Sequence, residues 1–253
     1  MSVLILILLV LTIWWIEFLV FRLMAGKSFL LIQLVRLLTG VSLLCLGYYF
    51  DFINSDFLKF GNTSVVANPV YWLGIGDGET WKTVSIGFLF SISLVTFLSL
   101  YIPNNKHFKN PKWSYLWIFS VLLMAFNNAA IEEILYRLVP LSFGGLPPTA
   151  LAVCSGVAFG LPHYFGYPSK WPGVILASFL GWFLAKSVLE TQGIFLAILF
   201  HWVQDILIIG LLSISQKPSI YSGLAEDKKV FFTGVVPITL ILLMLSIFIF
   251  LLK

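Results

Sequence analysis

Residues 115–139 read YLWIFSVLLMAFNNAAIEEILYRLV. About 20 consecutive apolar residues suffice to cross a bilayer as a helix, and this run is long enough. Glu132, Glu133 and Arg137 nevertheless stand inside it. On insertion scales an acid or an arginine at mid-bilayer costs roughly 2.5 to 3.5 kcal/mol. A chain that keeps three of them within six residues uses them. The stretch therefore predicts a helix in lipid whose polar positions are turned inward, towards other helices.

The rest of the chain agrees with a lipid environment. Only 10% of its 253 residues are charged, 60% are hydrophobic, and the mean hydropathy is +1.00. Soluble domains carry about 25% charged residues. Eight apolar runs are candidate spans: about 2–21, 28–50, 83–102, 115–139, 147–163, 172–190, 193–213 and 231–252. The expected fold is an all-α, polytopic transmembrane helix bundle of about eight spans. It forms one membrane domain over 1–253, with a catalytic core at about 115–213. The first run lacks a basic leader and a cleavage site, so it reads as a retained span.

The net charge of +4 has no basic cluster beyond Lys228-Lys229. It reads as topological bias and not as a nucleic-acid surface. Arg22, Lys27, Lys106, Lys109, Lys112, Lys170, Lys217, Lys228 and Lys229 fall in alternate loops. Those loops are expected in the cytoplasm, with both termini outside. Lys59, Lys82, Lys186 and Lys253 are assigned to the other side. Cys45 and Cys154 lie in apolar runs, where they are expected to be small buried residues with no disulfide between them. The long 51–82 loop is expected to cover the outer face.

Within the core, Glu133 and Arg137 are four residues apart and share a helical face. They are expected to pair. Glu132 points about 100° away with Asn128 and Tyr136 and is expected to be free to face a cavity between helices. Two further polar elements are buried in apolar runs: Phe159-Gly160-Leu161-Pro162-His163, and His201-Trp202-Val203-Gln204-Asp205. With a turn near Leu146, Glu132 and His163 lie ~21 and ~26 Å along their helices from it, near one level. His107, in a basic loop, reads as a solvated bystander.

Glu132, His163, His201 and Asp205 converging in a dry pocket leave two chemistries open. Glu132 could act as a general base towards water, with a histidine positioning the water or protonating the leaving amine. Alternatively the same four side chains could ligate one divalent metal, zinc being the usual choice, that activates the water. No HExxH sequence is present. Both routes end in hydrolysis, and the apolar surroundings suit a membrane-associated or lipid-modified protein or peptide substrate. A non-catalytic immunity or scaffold protein of the same fold is the alternative, and a proton-coupled transporter is a third reading.

The order EExxxR, FxxxH, HxxxD/N resembles the CPBP family, the CAAX proteases and bacteriocin-processing (Abi) enzymes. The matching residues are Glu132, Glu133 and Arg137; Phe159 and His163; His201 and Asp205. The resemblance implies an intramembrane endopeptidase in which Glu132, His163 and His201 are catalytic, with Asp205 at the asparagine or aspartate position. Glu133, Arg137, Phe159, Asn128 and Tyr136 would support them. Asp205 replaces the asparagine usual in prenyl-protein proteases, and Leu138 follows Arg137 where many bacterial relatives have glycine. Both departures favour a processing enzyme in a bacterial plasma membrane.

Overall fold

The computed structural model describes residues 8, 10–15, 29–50, 53–104, 114–142, 145–164 and 170–215. The described residues are helical apart from short loops and two isolated bridges. Six α-helices carry the fold: α1 (Phe29–Tyr49), α2 (Trp81–Asn104), α3 (Tyr115–Ser142, with a π-helical turn at Ile134–Leu138), α4 (Pro148–Gly160), α5 (Lys170–Thr191) and α6 (Ile194–Ser213). Among the described residues, α2, α3, α5 and α6 are long and apolar enough to cross a membrane, so the chain is an integral membrane protein. Four of the expected eight spans are thus present as such.

The fifth expected span, already short at 147–163, is not one continuous α-helix. Its α-helix has 13 residues and ends in a 3-10 turn at Leu161–Tyr164. At about 1.5 Å per residue it covers ~20 Å, short of the ~30 Å hydrocarbon core. Pro147 and Pro148 start it, and Pro162 ends it by withholding a backbone donor. The second expected span contains α1. The run at 231–252 and most of that at 2–21 lie outside the described residues.

Two prolines decide local structure around the polar cluster. Pro140 cannot donate to the carbonyl of Tyr136, four residues back. The helix loosens into the π turn just before it, with Val139 N–H reaching Ile134 O. The Tyr136 carbonyl instead accepts from Ser155 Oγ of α4 at 2.6 Å. Pro162 leaves the Ala158 carbonyl in the same position, and Trp14 Nε1 donates to it at 2.6 Å. Each deleted helical bond becomes a tertiary one that holds α4 to its neighbours.

α4 packs against α5, and α3 packs against α6. The α4–α5 contact is close because glycines line it. A Cβ on Gly156 would stand 2.6 Å from Ser178 O and 2.7 Å from Trp182 N, both backbone atoms. Gly156→Ala is therefore expected to push the helices apart. Overpacking of this kind costs about 1–3 kcal/mol, read as a lowered thermal midpoint in detergent.

The 53–80 loop fastens the adjoining ends of α5 and α6. Asn62 N–H donates to Thr191 O at 2.8 Å and Phe195 N–H to Lys59 O at 3.2 Å, so both open helix ends find partners. Gly193 lies so close to the Gly61 backbone that a side chain has no room. Lys186 is not in a loop, as its topological assignment implied. It is buried in α5, donating to Asn68 O and pairing with Glu190. Cys45 and Cys154 are exposed on the helix surfaces and unpaired, contrary to the burial expected of them.

Candidate active site

Every polar side chain of the cluster is delivered by a helix. Glu132 and Glu133 end the regular part of α3, just before the π turn that carries Arg137. His201 and Asp205 occupy one face of α6, four residues apart, and both are buried. Phe159 comes from the last turn of α4, and His163 from the 3-10 turn behind it. π turns interrupt helices where a side chain must be re-aimed, and this one follows the paired acids directly.

The two acids differ in their surroundings. Glu133 and Arg137 are fully buried, with Arg137 Nε 3.1 Å from Glu133 Oε2. The Arg137 guanidinium also lies over the Phe159 ring, 4.3 Å from its centroid. The other Glu133 oxygen is 2.8 Å from His201 Nδ1. Glu133 thus ties α3 to α6 as well as to its own helix.

Glu132 is not free, contrary to expectation. Its Oε1 accepts from Arg36 Nη2 of α1 at 2.5 Å, and Arg36 Nη1 donates to Asn128 Oδ1 at 2.8 Å. Its Oε2 lies 3.3 Å from His201 Nε2. Asn128 passes the network on, donating from Nδ2 to Asp205 Oδ2 at 2.9 Å. Asp205 Oδ1 is 3.7 Å from His201 Nε2. Asp205 therefore both receives Asn128 and faces His201.

Arg36 is the residue that sequence reasoning missed. A signal for it was present. The motif helices hold three acids, Glu132, Glu133 and Asp205, against Arg137, and a low-dielectric site does not tolerate such an excess. Arg36 stands in the otherwise apolar 34–49 helix and is 5% exposed. Carboxylates only accept hydrogen bonds, so the His201 ring, which meets Glu133 at one nitrogen and Glu132 at the other, is satisfied when both nitrogens carry protons. In that state three cations, Arg36, Arg137 and His201, match the three carboxylates around them.

His163 is half-buried at the rim of the cluster. Its Nδ1 is 2.9 Å from the Phe159 carbonyl. A carbonyl can only accept, so Nδ1 carries the proton and Nε2 of the neutral ring keeps its lone pair. The Phe159 ring touches both histidines, with centroids 4.7 Å from His163 and 5.5 Å from His201, and meets Tyr136 edge-on at 5.5 Å. This ring is the apolar surface that both histidines, Tyr136 and Arg137 share.

The donor set does not favour a metal. Among the described residues no three His, Cys, Asp or Glu side chains are grouped to hold an ion. Glu132 is engaged by Arg36, and His201 is turned between two carboxylates. The arrangement instead offers a buried carboxylate, Glu132, with the Arg36 guanidinium at Oε1 and the His201 imidazole at Oε2.

Residues 112–207 match the family model described as type II CAAX prenyl endopeptidase Rce1-like. The matched segment contains the cluster except Arg36, and its family is the one that the three motifs resemble. The match supports a CAAX-type intramembrane protease. No curated protein and no solved structure matches the chain.

Proposed function

We propose that this protein is an intramembrane endopeptidase that hydrolyses a peptide bond in a membrane-associated or lipid-modified protein, with water activated by Glu132. The observation that carries the reading is the asymmetric bonding of Glu132. Arg36 occupies Oε1, and Oε2 faces the His201–Asp205 side of the cluster. Oε2 is thus the oxygen placed to take a proton from water.

In this reading the water oxygen attacks the scissile carbonyl carbon as its proton passes to Glu132 Oε2. The tetrahedral oxyanion forms beside His201 Nε2–H and the Arg36 guanidinium, which stabilise it electrostatically. The carbon–nitrogen bond then breaks, and the departing amine receives the proton from Glu132. His163 accepts a hydrogen bond from the water at its bare Nε2 in this reading and orients it. Asp205 is a positioning residue: through Asn128 and His201 it fixes two donors that an ionised acid could not replace. Glu133 and Arg137 hold the scaffold. The same four side chains, Glu132, His163, His201 and Asp205, are the ones a metal would need, and no step of this route calls for one.

The test is cleavage of a lipidated C-terminal peptide by purified protein in vesicles. His163→Ala is expected to cleave far more slowly than the unaltered protein, and undiminished cleavage would sink the role given to His163. Arg36 supplies a second check. Arg36→Gln is expected to lower turnover roughly tenfold to a hundredfold, the worth of hydrogen bonds to a charged group. Arg36→Lys should recover part of that loss, because a lysine restores the charge but cannot bridge Glu132 and Asn128. Turnover in both variants equal to that of the unaltered protein would remove Arg36 from the reaction.

A further inference from the structure

The loop between α1 and α2 contains a hairpin, Val66–Thr80, that descends along the flank of α5. Two antiparallel bridges define it, Val66 to Thr80 near its root and Val70 to Ile75 near its tip. The root is fixed at the outer end of α5: Asn68 N–H and Nδ2 donate to Glu190, each at 3.0 Å, and Trp81 Nε1 donates to Glu190 at 2.9 Å. The tip lies further down the helix. The Trp72 ring stacks on Trp182 at 5.8 Å and meets Phe179 at 6.0 Å. Trp182 and Phe179 precede the end of α5 at Thr191 by nine and twelve residues, which is ~13 and ~18 Å along the helix axis. α5 is a candidate span whose whole length is ~33 Å, close to the ~30 Å hydrocarbon thickness.

We infer that the Val66–Thr80 hairpin is a re-entrant element whose tip, Tyr71–Gly74, sits among lipid acyl chains on the outer face of α5. Each backbone polar group bonded internally lowers the cost of non-helical chain at such depth. Three backbone groups of the tip itself and the Val70–Ile75 pair above it are bonded in this way. Val70 and Ile75 exchange both backbone bonds, at 2.9 and 3.2 Å, Leu73 N–H donates to Val70 O at 2.8 Å, and Gly74 N–H to Tyr71 O at 3.0 Å. Gly74 takes a φ of 82° to turn the chain back. The side chains are sorted as a bilayer would sort them. Trp72 is 73% exposed at the tip, whereas the exposed Tyr71 turns its hydroxyl towards Asp77, at 3.0 and 2.9 Å from the two carboxylate oxygens. Ala67 and Ile75 face the protein and are buried. An aqueous surface loop has no cause to present Trp72 outward beside Phe179 and Trp182, whereas lipid does.

Environment-sensitive fluorophores on single cysteines test this directly, independently of any proteolytic activity. Cys45→Ala and Cys154→Ala clear the background, and Trp72→Cys and Asp77→Cys place the label at the tip and nearer the root. In phosphatidylcholine vesicles, lipids bearing a nitroxide deep in the acyl chain should quench the Trp72 position severalfold more than aqueous iodide does. The Asp77 position should show the reverse order. Leu73→Cys, one residue on, is read in the same way should the Trp72 variant not fold. Iodide quenching at both 72 and 73 as strong as at 77, or strongest quenching there by headgroup nitroxides, would overturn the insertion.

Discussion

Arg137→Ala is expected to leave little folded protein. Arg137 and Glu133 are both fully buried, and Arg137 also covers the Phe159 ring. Removing the guanidinium strands the Glu133 carboxylate with His201 as its remaining counter-charge. Breaking a buried ion pair by deleting one partner costs about 3–5 kcal/mol. A buried cation–π contact adds up to about 2 kcal/mol. Whole domains are held by only about 5–15 kcal/mol, so the substitution removes a large share of what there is. The measurement is the thermal midpoint and yield of monodisperse protein in detergent. Arg137→Ala behaving like the unaltered protein would mean that the pair is not structural. Glu133→Gln should be milder than Arg137→Ala, because the amide keeps the shape and its one oxygen can still accept from Arg137 or from His201, though not from both.

Glu132→Gln is expected to separate the two acids. The amide oxygen can still accept from Arg36, so the α1–α3 contact persists and the protein should fold. The glutamine cannot take a proton from water. General-base groups contribute about 10²–10⁴-fold to rate, and turnover should fall by that order. The pattern to look for is therefore a folded, inactive Glu132→Gln beside a poorly folded Arg137→Ala. A non-catalytic membrane protein of the same fold makes a different prediction: Glu132→Gln would fold and keep its cellular phenotype.

Much of the membrane core was legible because spans are a composition signal. The runs at 83–102, 115–139, 172–190 and 193–213 correspond to Trp81–Ile102, Tyr115–Ser142, Lys170–Thr191 and Ile194–Ser213. The run at 147–163 reads as short and as starting at Pro147-Pro148, but hydropathy does not show that its α-helix stops at Gly160, before Pro162. Four-residue spacing placed Glu133 against Arg137, a contact within one helix. The partner of Glu132 was out of reach of that reasoning. Arg36 lies 96 positions away on another helix, and periodicity within a helix is silent about which helices meet. A charge count over the buried residues would have asked for a cation, without saying which. The hairpin was hidden for a similar reason. Gly76-Asp77-Gly78 is a turn signal in the sequence, but the descent of Trp72 along α5 depends on the Glu190 anchor, a long-range contact.

The central claim is that the buried cluster hydrolyses a peptide bond through Glu132. Mass spectrometry of a lipidated peptide incubated with purified protein in vesicles tests it most directly, with Glu132→Gln protein of matched thermal midpoint run in parallel. The prediction is one internal bond cleaved by the unaltered protein, the fragments together heavier than the peptide by one water, and the peptide left intact by Glu132→Gln. The same fragments at the same rate from the folded Glu132→Gln protein would contradict it.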